Sequence, residues 1–404
     1  MGPYAALILL LFQSDDPAAA GMKALDERNY EAAVESFRKV VAAEPKDYAA
    51  RFHLALALSL LDHDAEAVSE YRRVLDLKPG LYEAQLNLGI LLLRQRQAGE
   101  ALPLLESAAA KKPKEYRPAY YLGQARLAAG DPAGAEAAFA AAAAMNPQAA
   151  EAVFGLARTR ARAGRLQEAE AMFRRAAELD PAFRDGLLEL ASLYEERKQP
   201  EAAIALYREF PELPAARERL GQLLLEAGEA AKAIPELQEA VAKSPTTANR
   251  AALAAAYLRN RQPEKAIPLL EQALAAEPAA FDLRLAYGRA LRDRKDYPAA
   301  AREFLRAANA RPDSAEAFGE LAGMLILLEN FPQAIAALNR VRELGAEKPG
   351  HLYLRAIVLD RLRDYQPALE SYRRFLAGSN GQNPDEEFKA RQRVRIIERE
   401  LSKR

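Results

Sequence analysis

The sequence predicts an all-α solenoid of stacked helix–turn–helix repeats, on the strength of two regularities. Five prolines recur at one constant interval: Pro45, Pro79, Pro113, Pro147 and Pro181. An alanine stands at a constant distance before each proline, as Ala33 does before Pro45. A large apolar residue follows that alanine by four positions, and a small or β-branched residue follows three later. Spacings of four and three place side chains on one helical face, so an amphipathic helix is expected before each proline. A fixed period of about 34 residues is typical of stacked helical repeats.

Each repeat also contains the pattern of an earlier helix and of a turn between the two helices. The first helix carries a leucine followed by a small residue, as in Leu88–Gly89 and Leu156–Ala157, which allows the two helices to approach closely. In the fourth repeat, Gly130 is a helix-stop signal and Asp131–Pro132 is a helix-start signal. The proline after the second helix ends it because proline lacks a backbone N–H.

The small-residue mark continues through the rest of the chain, at Ala203, Ala233, Ala266, Ala300, Ala334 and Ala368. The interval stays constant except after Ala203, where it is shorter by four, and after Ala233, where it is shorter by one. The repeat from Arg184 to Leu213 is therefore clipped, and Pro211 and Pro214 should shorten its second helix by about one turn. We expect repeats 1–6 over residues 14–213 and repeats 7–11 over residues 214–382. A local deletion without functional meaning is the simpler interpretation of the short repeat, and a hinge is the alternative.

The two ends of the chain differ from the repeats. Residues 383–404 form a last helix whose apolar stripe consists of Ala390, Val394, Ile397 and Leu401. This pattern predicts a helix that caps the array, as repeat proteins require. The alternative is a nucleic-acid-binding arm, suggested by a basic cluster in which glutamates are interspersed: Lys389, Arg391, Arg393 and Arg395.

Residues 1–13 resemble part of a signal peptide. The apolar run from Ala5 to Phe12 has the length of a signal-peptide core and is too short to span a bilayer. No Lys or Arg precedes it, although a positive start is usual in such segments. We expect export to the periplasm or secretion, and the alternative is a cytoplasmic protein whose N-terminal helix caps the array.

The repeats resemble the tetratricopeptide repeat, whose pattern W-x2-L-G-x2-Y…A-x3-F…P extends over about 34 residues. The chain departs from this pattern in having no Trp, and residues such as Val153, Phe318 and Leu352 fill that slot. The resemblance covers residues 14–382. It implies a right-handed solenoid of about eleven helix–turn–helix units with a C-terminal capping helix, whose inner surface is built mainly from the first helices.

The composition and the motifs of the chain argue against catalysis, metal or cofactor binding and nucleic-acid binding. Lys plus Arg and Asp plus Glu number 57 each, which disfavours a nucleic-acid binder held by a global positive field. The chain has no cysteine, and its three histidines share no metal-ligand spacing. Phosphate-loop, dinucleotide-binding and Gly-x-Ser-x-Gly patterns do not occur in it. We therefore expect neither an enzyme nor a cofactor, metal, nucleic-acid or membrane-spanning function.

The expected role is protein binding, as an interaction scaffold or assembly adaptor that holds an extended or helical peptide segment in its concave groove. Aromatic and Arg side chains, the types that most often anchor interfaces, are concentrated on first helices of repeats 4 and 5. The predicted partner-binding residues are Asn87, Arg117, Tyr120, Tyr121, Gln124, Phe154, Arg158 and Arg162. Their basic character favours a segment with some negative charge. The plainer interpretation is that the tyrosines pack between repeats while the arginines pair with neighbouring glutamates. An alternative function, resting on fold analogy alone, is a component of an envelope polysaccharide or glycan-related assembly machine.

Overall fold

The computed structural model describes residues 16–402, which contain 23 α-helices, one 3₁₀ turn (Pro181–Phe183) and no β-strand. The signal-like segment, residues 1–13, lies outside the described residues. None of the helices between residues 16 and 402 combines the length and the apolar character that a membrane-spanning segment requires.

The helices form eleven pairs and one final helix. The first helices of the repeats are α1 (Pro17–Asp26), α3 (Tyr48–Leu60), α5 (Tyr82–Arg94), α7 (Tyr116–Ala128), α9 (Ala150–Arg162), α11 (Gly186–Glu196), α13 (Pro214–Glu226), α15 (Thr247–Arg259), α17 (Phe281–Asp293), α19 (Ala315–Leu327) and α21 (Pro349–Arg361). The second helices are α2 (Tyr30–Ala43), α4 (Asp64–Leu77), α6 (Ala98–Lys111), α8 (Pro132–Met145), α10 (Leu166–Leu179), α12 (Pro200–Tyr207), α14 (Ala230–Lys243), α16 (Pro263–Ala276), α18 (Tyr297–Ala310), α20 (Phe331–Glu343) and α22 (Tyr365–Ser379). The last helix is α23 (Pro384–Ser402). This confirms the predicted all-α array of eleven repeats.

The residues that define the sequence register form the core. All eleven alanines of the small-residue mark, from Ala33 to Ala368, have no exposed surface. The large apolar residue four positions later is also buried in every repeat, from Phe37 to Tyr372. The alanine has to be small because the two helices of a repeat approach each other there, and the apolar residue fills the space beside it.

The turn between the two helices contains a residue with positive φ in every repeat. These residues have φ angles between 55° and 82°, and they are Arg28, Asp62, Arg96, Gly130, Gly164, Lys198, Gly228, Arg261, Lys295, Glu329 and Arg363. The next residue donates a backbone hydrogen bond to the carbonyl five residues earlier, as from Asn330 to Leu325 at 2.8 Å. This is the Schellman geometry that ends a helix, and it normally favours glycine because a Cβ strains the left-handed conformation.

Replacing a strained side chain in these turns by glycine is expected to stabilise the fold. Glu329 is exposed and has φ 55°, so Glu329→Gly should raise the free energy of unfolding by about 0.5–1 kcal/mol. The matched control is Gly228→Ala, where φ is 78° and a Cβ meets no atom within 4 Å. It should lower stability by about 1 kcal/mol through backbone strain alone. Urea unfolding followed by circular dichroism measures both, and equal signs for the two variants would contradict the expectation.

The chain divides into two compact units, an N-terminal unit ending at Gln199 and a C-terminal unit beginning at Pro200. The boundary between the compact units lies inside repeat 6, before α12. The grouping into repeats 1–6 and repeats 7–11, with its division after residue 213, stays a prediction. Helix α12 has eight residues, whereas α4 has 14, α20 has 13 and α22 has 15. The second helix of repeat 6 is thus shortened, as Pro211 and Pro214 predict, and by more than one turn.

Within each unit the first helices lie closer together than the second helices do. In the N-terminal unit α5 contacts α7, α7 contacts α9, and α9 contacts α11. In the C-terminal unit the same holds for α13 with α15, α15 with α17, and α19 with α21. Second helices of successive repeats make no comparable contacts among the described residues. The first helices therefore line the inner side of each unit, and the second helices diverge on its outer side.

The last helix caps the C-terminal unit. In α23, Ala390 and Ile397 have no exposed surface, and they pack with residues of α21 and α22. Arg393 forms a two-fold hydrogen-bonded ion pair with Asp360 of α21, and this contact raises the pKa of the guanidinium. Arg391 is paired with Glu387 at 2.7 Å. The capping prediction is confirmed, and Arg393 of the basic cluster joins the cap to α21.

Candidate protein-binding groove

Five of the predicted partner-binding residues line one open pocket between α7 and α9 in the N-terminal unit. The pocket has a volume of about 330 Å³, and the five residues are Tyr120, Gln124, Phe154, Arg158 and Arg162. They lie on successive turns of two first helices, the helices that contact each other on the inner side. Positions four apart share a helical face, which is why Tyr120 aligns with Gln124 and Phe154 with Arg158.

Tyr120 lines one wall of this pocket, and two neighbouring tyrosines hold its ring. The Tyr120 ring stacks on Tyr116, with centroids 5.7 Å apart and an interplanar angle of 11°. It also meets Tyr121 edge-on, at 5.1 Å. The Tyr120 hydroxyl accepts a hydrogen bond from Gln124 Nε2 at 2.6 Å. Burial raises the pKa of Tyr120, so the hydroxyl stays protonated and keeps its own hydrogen for donation.

Phenylalanines and an arginine form the opposite wall. The Phe154 ring lies between Phe173, at 5.4 Å, and Phe183, at 4.8 Å. The Arg158 guanidinium lies over Phe154 at 5.7 Å and pairs through Nε with Glu189 of α11 at 3.1 Å. Both side chains of this pair are well exposed, at 41% and 48%. Such a pair is worth about 0–1 kcal/mol, so a carboxylate on a partner can replace Glu189 with little loss.

Arg162 and Arg117 are both exposed to solvent, and neither forms an ion pair with any residue between 16 and 402. Arg162 is part of the pocket lining. Arg117 lies outside that lining, with its guanidinium 6.0 Å from the Tyr121 ring. The inner side of α7 and α9 thus presents two unpaired cations beside aromatic rings.

The structure does not bring all the predicted residues together. Asn87 donates a hydrogen bond from Nδ2 to the Tyr71 hydroxyl at 3.1 Å, so its amide supports the core beside it. Tyr71 is fully buried, and burial raises its pKa to about 12. Tyr121 packs against the core of the preceding repeats, as the plainer interpretation of the tyrosines expects. Neither Asn87 nor Tyr121 lines the pocket.

Among the lining residues that the sequence prediction missed, two contribute a charge or a partly exposed ring to the pocket, Glu151 and Phe183. Glu151 accepts a hydrogen bond from the Tyr116 hydroxyl at 2.7 Å and is the one carboxylate in the lining. Its position in α9 is that of Arg117 in α7, so the same helical face would have identified it. Phe183 lies in the 3₁₀ turn that precedes α11, where no helical period applies. Only the packing of that turn reveals its role.

The fold and this inner face are those of a protein-binding helical repeat. The tetratricopeptide repeat model matches the chain in eight segments, residues 18–82, 65–116, 86–150, 120–182, 154–215, 188–248, 251–322 and 327–384. The chain belongs to the tetratricopeptide repeat family. A comparison with curated protein sequences found no significant match.

Solved structures of other repeat proteins are similar to part of the chain. Residues 41 to the end of MamA from Desulfovibrio magneticus RS-1 are 24% identical, with a TM-score of 0.40, over 42% of this chain and 97% of that fragment. YrrB, described as a TPR protein with an unusual peptide-binding site, is 22% identical, with a TM-score of 0.40, over 48% of this chain and 98% of YrrB. At this level of similarity neither protein's ligand is evidence about this chain.

Proposed function

We propose that the chain is an interaction scaffold or assembly adaptor that binds an acidic peptide segment, extended or helical, along the inner side of α7 and α9. The observation that supports this proposal is the pocket itself, in which aromatic rings stand beside the unpaired Arg162 and the weakly paired Arg158. Large rings supply contact area, and guanidinium groups supply paired donors that match a carboxylate.

The pocket favours a negatively charged segment. Arg158 and Arg162 line it together with one carboxylate, Glu151, and one oxygen of that carboxylate already accepts from Tyr116. Arg117 adds a third positive charge on the same side of α7. A basic segment would meet uncompensated guanidinium groups, whereas an acidic one would gain charge-assisted hydrogen bonds.

Neighbouring side chains hold the aromatic residues of the pocket in place. Tyr120 is held by Tyr116, Tyr121 and Gln124. Phe154 is held between Phe173 and Phe183. Side chains that are fixed before binding lose little conformational entropy on binding, which increases affinity without additional contacts. The groove thus acts as a rigid surface onto which a flexible segment folds.

Charge reversal at Arg162 is expected to weaken this binding strongly. A random peptide display library selected on the purified full chain should yield sequences rich in Asp and Glu. Fluorescence anisotropy of a selected peptide should then show at least about tenfold weaker binding to Arg162→Glu. The affinity for the unaltered chain should fall as salt is added, because the charges concerned are accessible to solvent. Arg162 has no ion-pair partner among residues 16–402, so the variant should fold normally.

The matched control is Arg175→Glu, which reverses an arginine with a 47% exposed side chain on α10, outside the pocket. It should bind the selected peptide with unchanged affinity. Selection of basic or uncharged peptides would contradict the proposed function. So would an affinity of Arg162→Glu equal to that of the unaltered chain.

Three further expectations stay predictions. Turnover of any glycan or nucleotide by the purified chain would contradict the expectation that it is not an enzyme, and would favour the glycan-related alternative. Retention of nucleic acid by the purified chain would contradict the expectation of a protein partner only. N-terminal sequencing of the mature protein tests export, since removal of the first residues is the signature of a cleaved signal peptide.

A further inference from the structure

A second groove lies on the outer side of the C-terminal unit, between α18 and α20. It has a volume of about 470 Å³. Phe318, Leu321 and Leu325 of α19 line it between the two outer helices, and Leu305 of α18 stands on its wall. The polar members of the lining are Arg302, Gln333 and Arg340. The groove opens here because second helices of successive repeats diverge while first helices stay in contact.

Leu305 is unusual for its position in the repeat. It lies five residues after the register alanine, next to Phe304, which is fully buried and fills the core. Leu305 itself is 48% exposed. The equivalent residue is polar or charged in nine repeats and alanine in one: Arg38, Arg72, Glu106, Ala140, Arg174, Arg208, Gln238, Glu271, Asn339 and Arg373. A large apolar side chain at this site is therefore not required by the repeat fold.

A single exposed leucine is ordinary, but Leu305 continues an apolar surface. It lies beside Phe318 and alanines of α18 and α20 in the same groove. Contiguous exposed apolar surface bordered by polar residues marks interaction sites in soluble proteins. The polar border here consists of Arg302, Gln333 and Arg340.

The charge around the groove is positive. No carboxylate lines it. Arg302 is exposed and forms no ion pair with any residue in the described range 16–402. Arg340 is 42% exposed and forms a surface pair with Glu343 at 3.1 Å. An acidic group on a partner chain could thus pair with Arg302, which is unpaired, or with Arg340, whose surface pair is weak.

We infer that this groove binds an amphipathic α-helix of a partner protein, with its apolar stripe on Leu305 and Phe318 and an acidic side chain on Arg302. A helix fits better than an extended strand because the lining of this groove is mainly apolar, unlike that of the inner pocket. An extended segment would bury N–H and C=O groups against side chains that cannot pair with most of them. A helix satisfies its own backbone and inserts side chains at positions i, i+3, i+4 and i+7.

This inference does not depend on the proposed function, because the two grooves lie in different units, one on an inner and one on an outer side. Their charge preferences are alike, but their walls differ. The inner pocket has polar and aromatic walls, whereas the outer groove is a mainly aliphatic channel. Variants in one groove therefore report on that groove alone.

The experiment uses the purified full chain and three synthetic fluorescent peptides of about 16 residues, long enough for about four helical turns. All three carry leucines at one helical spacing, and their flanking positions are Glu, Gln or Lys. Anisotropy should show the tightest binding for the Glu peptide and the weakest for the Lys peptide. Leu305→Gln should weaken Glu-peptide binding by about tenfold. The fold should accept this change, because Gln238 occupies the same position in repeat 7.

Three further variants test the assignment of the groove. Arg302→Glu should reverse the preference from the Glu peptide to the Lys peptide. Leu60→Gln alters a leucine with similar exposure, 46%, in the N-terminal unit and should change nothing. Arg162→Glu should also leave Glu-peptide binding intact, which separates this groove from the inner pocket.

Several outcomes would overturn the inference. They are the absence of saturable binding by the Glu peptide, equal binding of the three peptides, and unchanged binding by Leu305→Gln. Sedimentation of the chain alone provides one more. If the chain forms a dimer that Leu305→Gln dissociates, the groove belongs to a second copy of the chain and not to a partner helix.

Discussion

Arg355→Met is expected to destabilise the C-terminal unit by about 3–5 kcal/mol, the largest loss from any single polar change that we foresee. Arg355 is 5% exposed. Its guanidinium pairs with Glu347 at 3.0 Å, donates to the Leu338 carbonyl at 2.6 Å and donates to Asn339. These contacts join α20, the segment before α21 and α21 itself. Removing the guanidinium leaves a buried carboxylate and a buried carbonyl without their main partner.

The size of this effect depends on the carboxylate that is left behind. The Glu347 side chain is 9% exposed, and its remaining contact is Arg374 at 3.2 Å, whose side chain is 53% exposed. A single solvated arginine compensates a buried charge only in part, so the loss should lie near about 3 kcal/mol and not near zero. Burial lowers the pKa of Arg355, since desolvation disfavours the charged guanidinium.

Urea unfolding of the full chain, with hydrogen exchange resolved on α20 and α21, measures the loss and locates it. The double variant Arg355→Met with Glu347→Gln removes the stranded charge and should recover at least about 1 kcal/mol. Arg374→Met is the exposed control, with an expected change within about 0.5 kcal/mol. If Arg355→Met lost less than about 1 kcal/mol, the network would be a marginal surface feature.

Phe139→Ala is expected to destabilise the N-terminal unit by about 3–5 kcal/mol. Phe139 is 2% exposed and lies between Gly123 of α7 and Gly155 of α9. A Cβ added to Gly155 would come within 2.6 Å of the ring, and one added to Gly123 within 2.8 Å. Two glycine backbones therefore close on this ring, and a smaller residue leaves a cavity between two repeats. Phe139 also lines the inner pocket, so peptide binding should weaken as well.

A double-mutant cycle tests this packing directly. Gly155→Leu alone should cost about 1–3 kcal/mol by overpacking against the ring. In the Phe139→Ala background the leucine occupies the space that the ring has left. The double variant should therefore lose about 1–3 kcal/mol less stability than the sum of the two single losses. Gly99→Leu is the control, because a Cβ at Gly99 in α6 meets no atom within 4 Å. Additive losses in the cycle would show that ring and glycine do not share the space.

Much of the fold could be predicted from the sequence because the same spacing of small and large apolar residues occurs in all eleven repeats. Ala33 and its ten counterparts are buried, and the shortened α12 agrees with Pro211 and Pro214. The inner pocket was predicted in part. Tyr120 and Phe154 could be placed because a helical period determines which side chains share a face.

The features of the site that the sequence did not determine depend on contacts between different helices and turns. Asn87 has the right position on α5, yet its amide is engaged by Tyr71 of the second helix before it. Phe183 enters the pocket from a 3₁₀ turn that has no period. Arg158 is predicted as a partner-binding residue, with pairing to a neighbouring glutamate as the plainer interpretation, and in the structure it pairs with Glu189 of α11. Spacing along one helix does not identify partners on another.

The sequence by itself determined the repeat length, the number of helix pairs and the residues of the core, since these depend on period and side-chain size alone. The tertiary structure decided which faces are open. The closeness of first helices forms the inner pocket at Tyr120, and the divergence of second helices exposes the channel beside Leu305. The physical reason is that the helical period determines which way each side chain points from its own helix. The spacing between helices depends instead on how side chains of different helices pack.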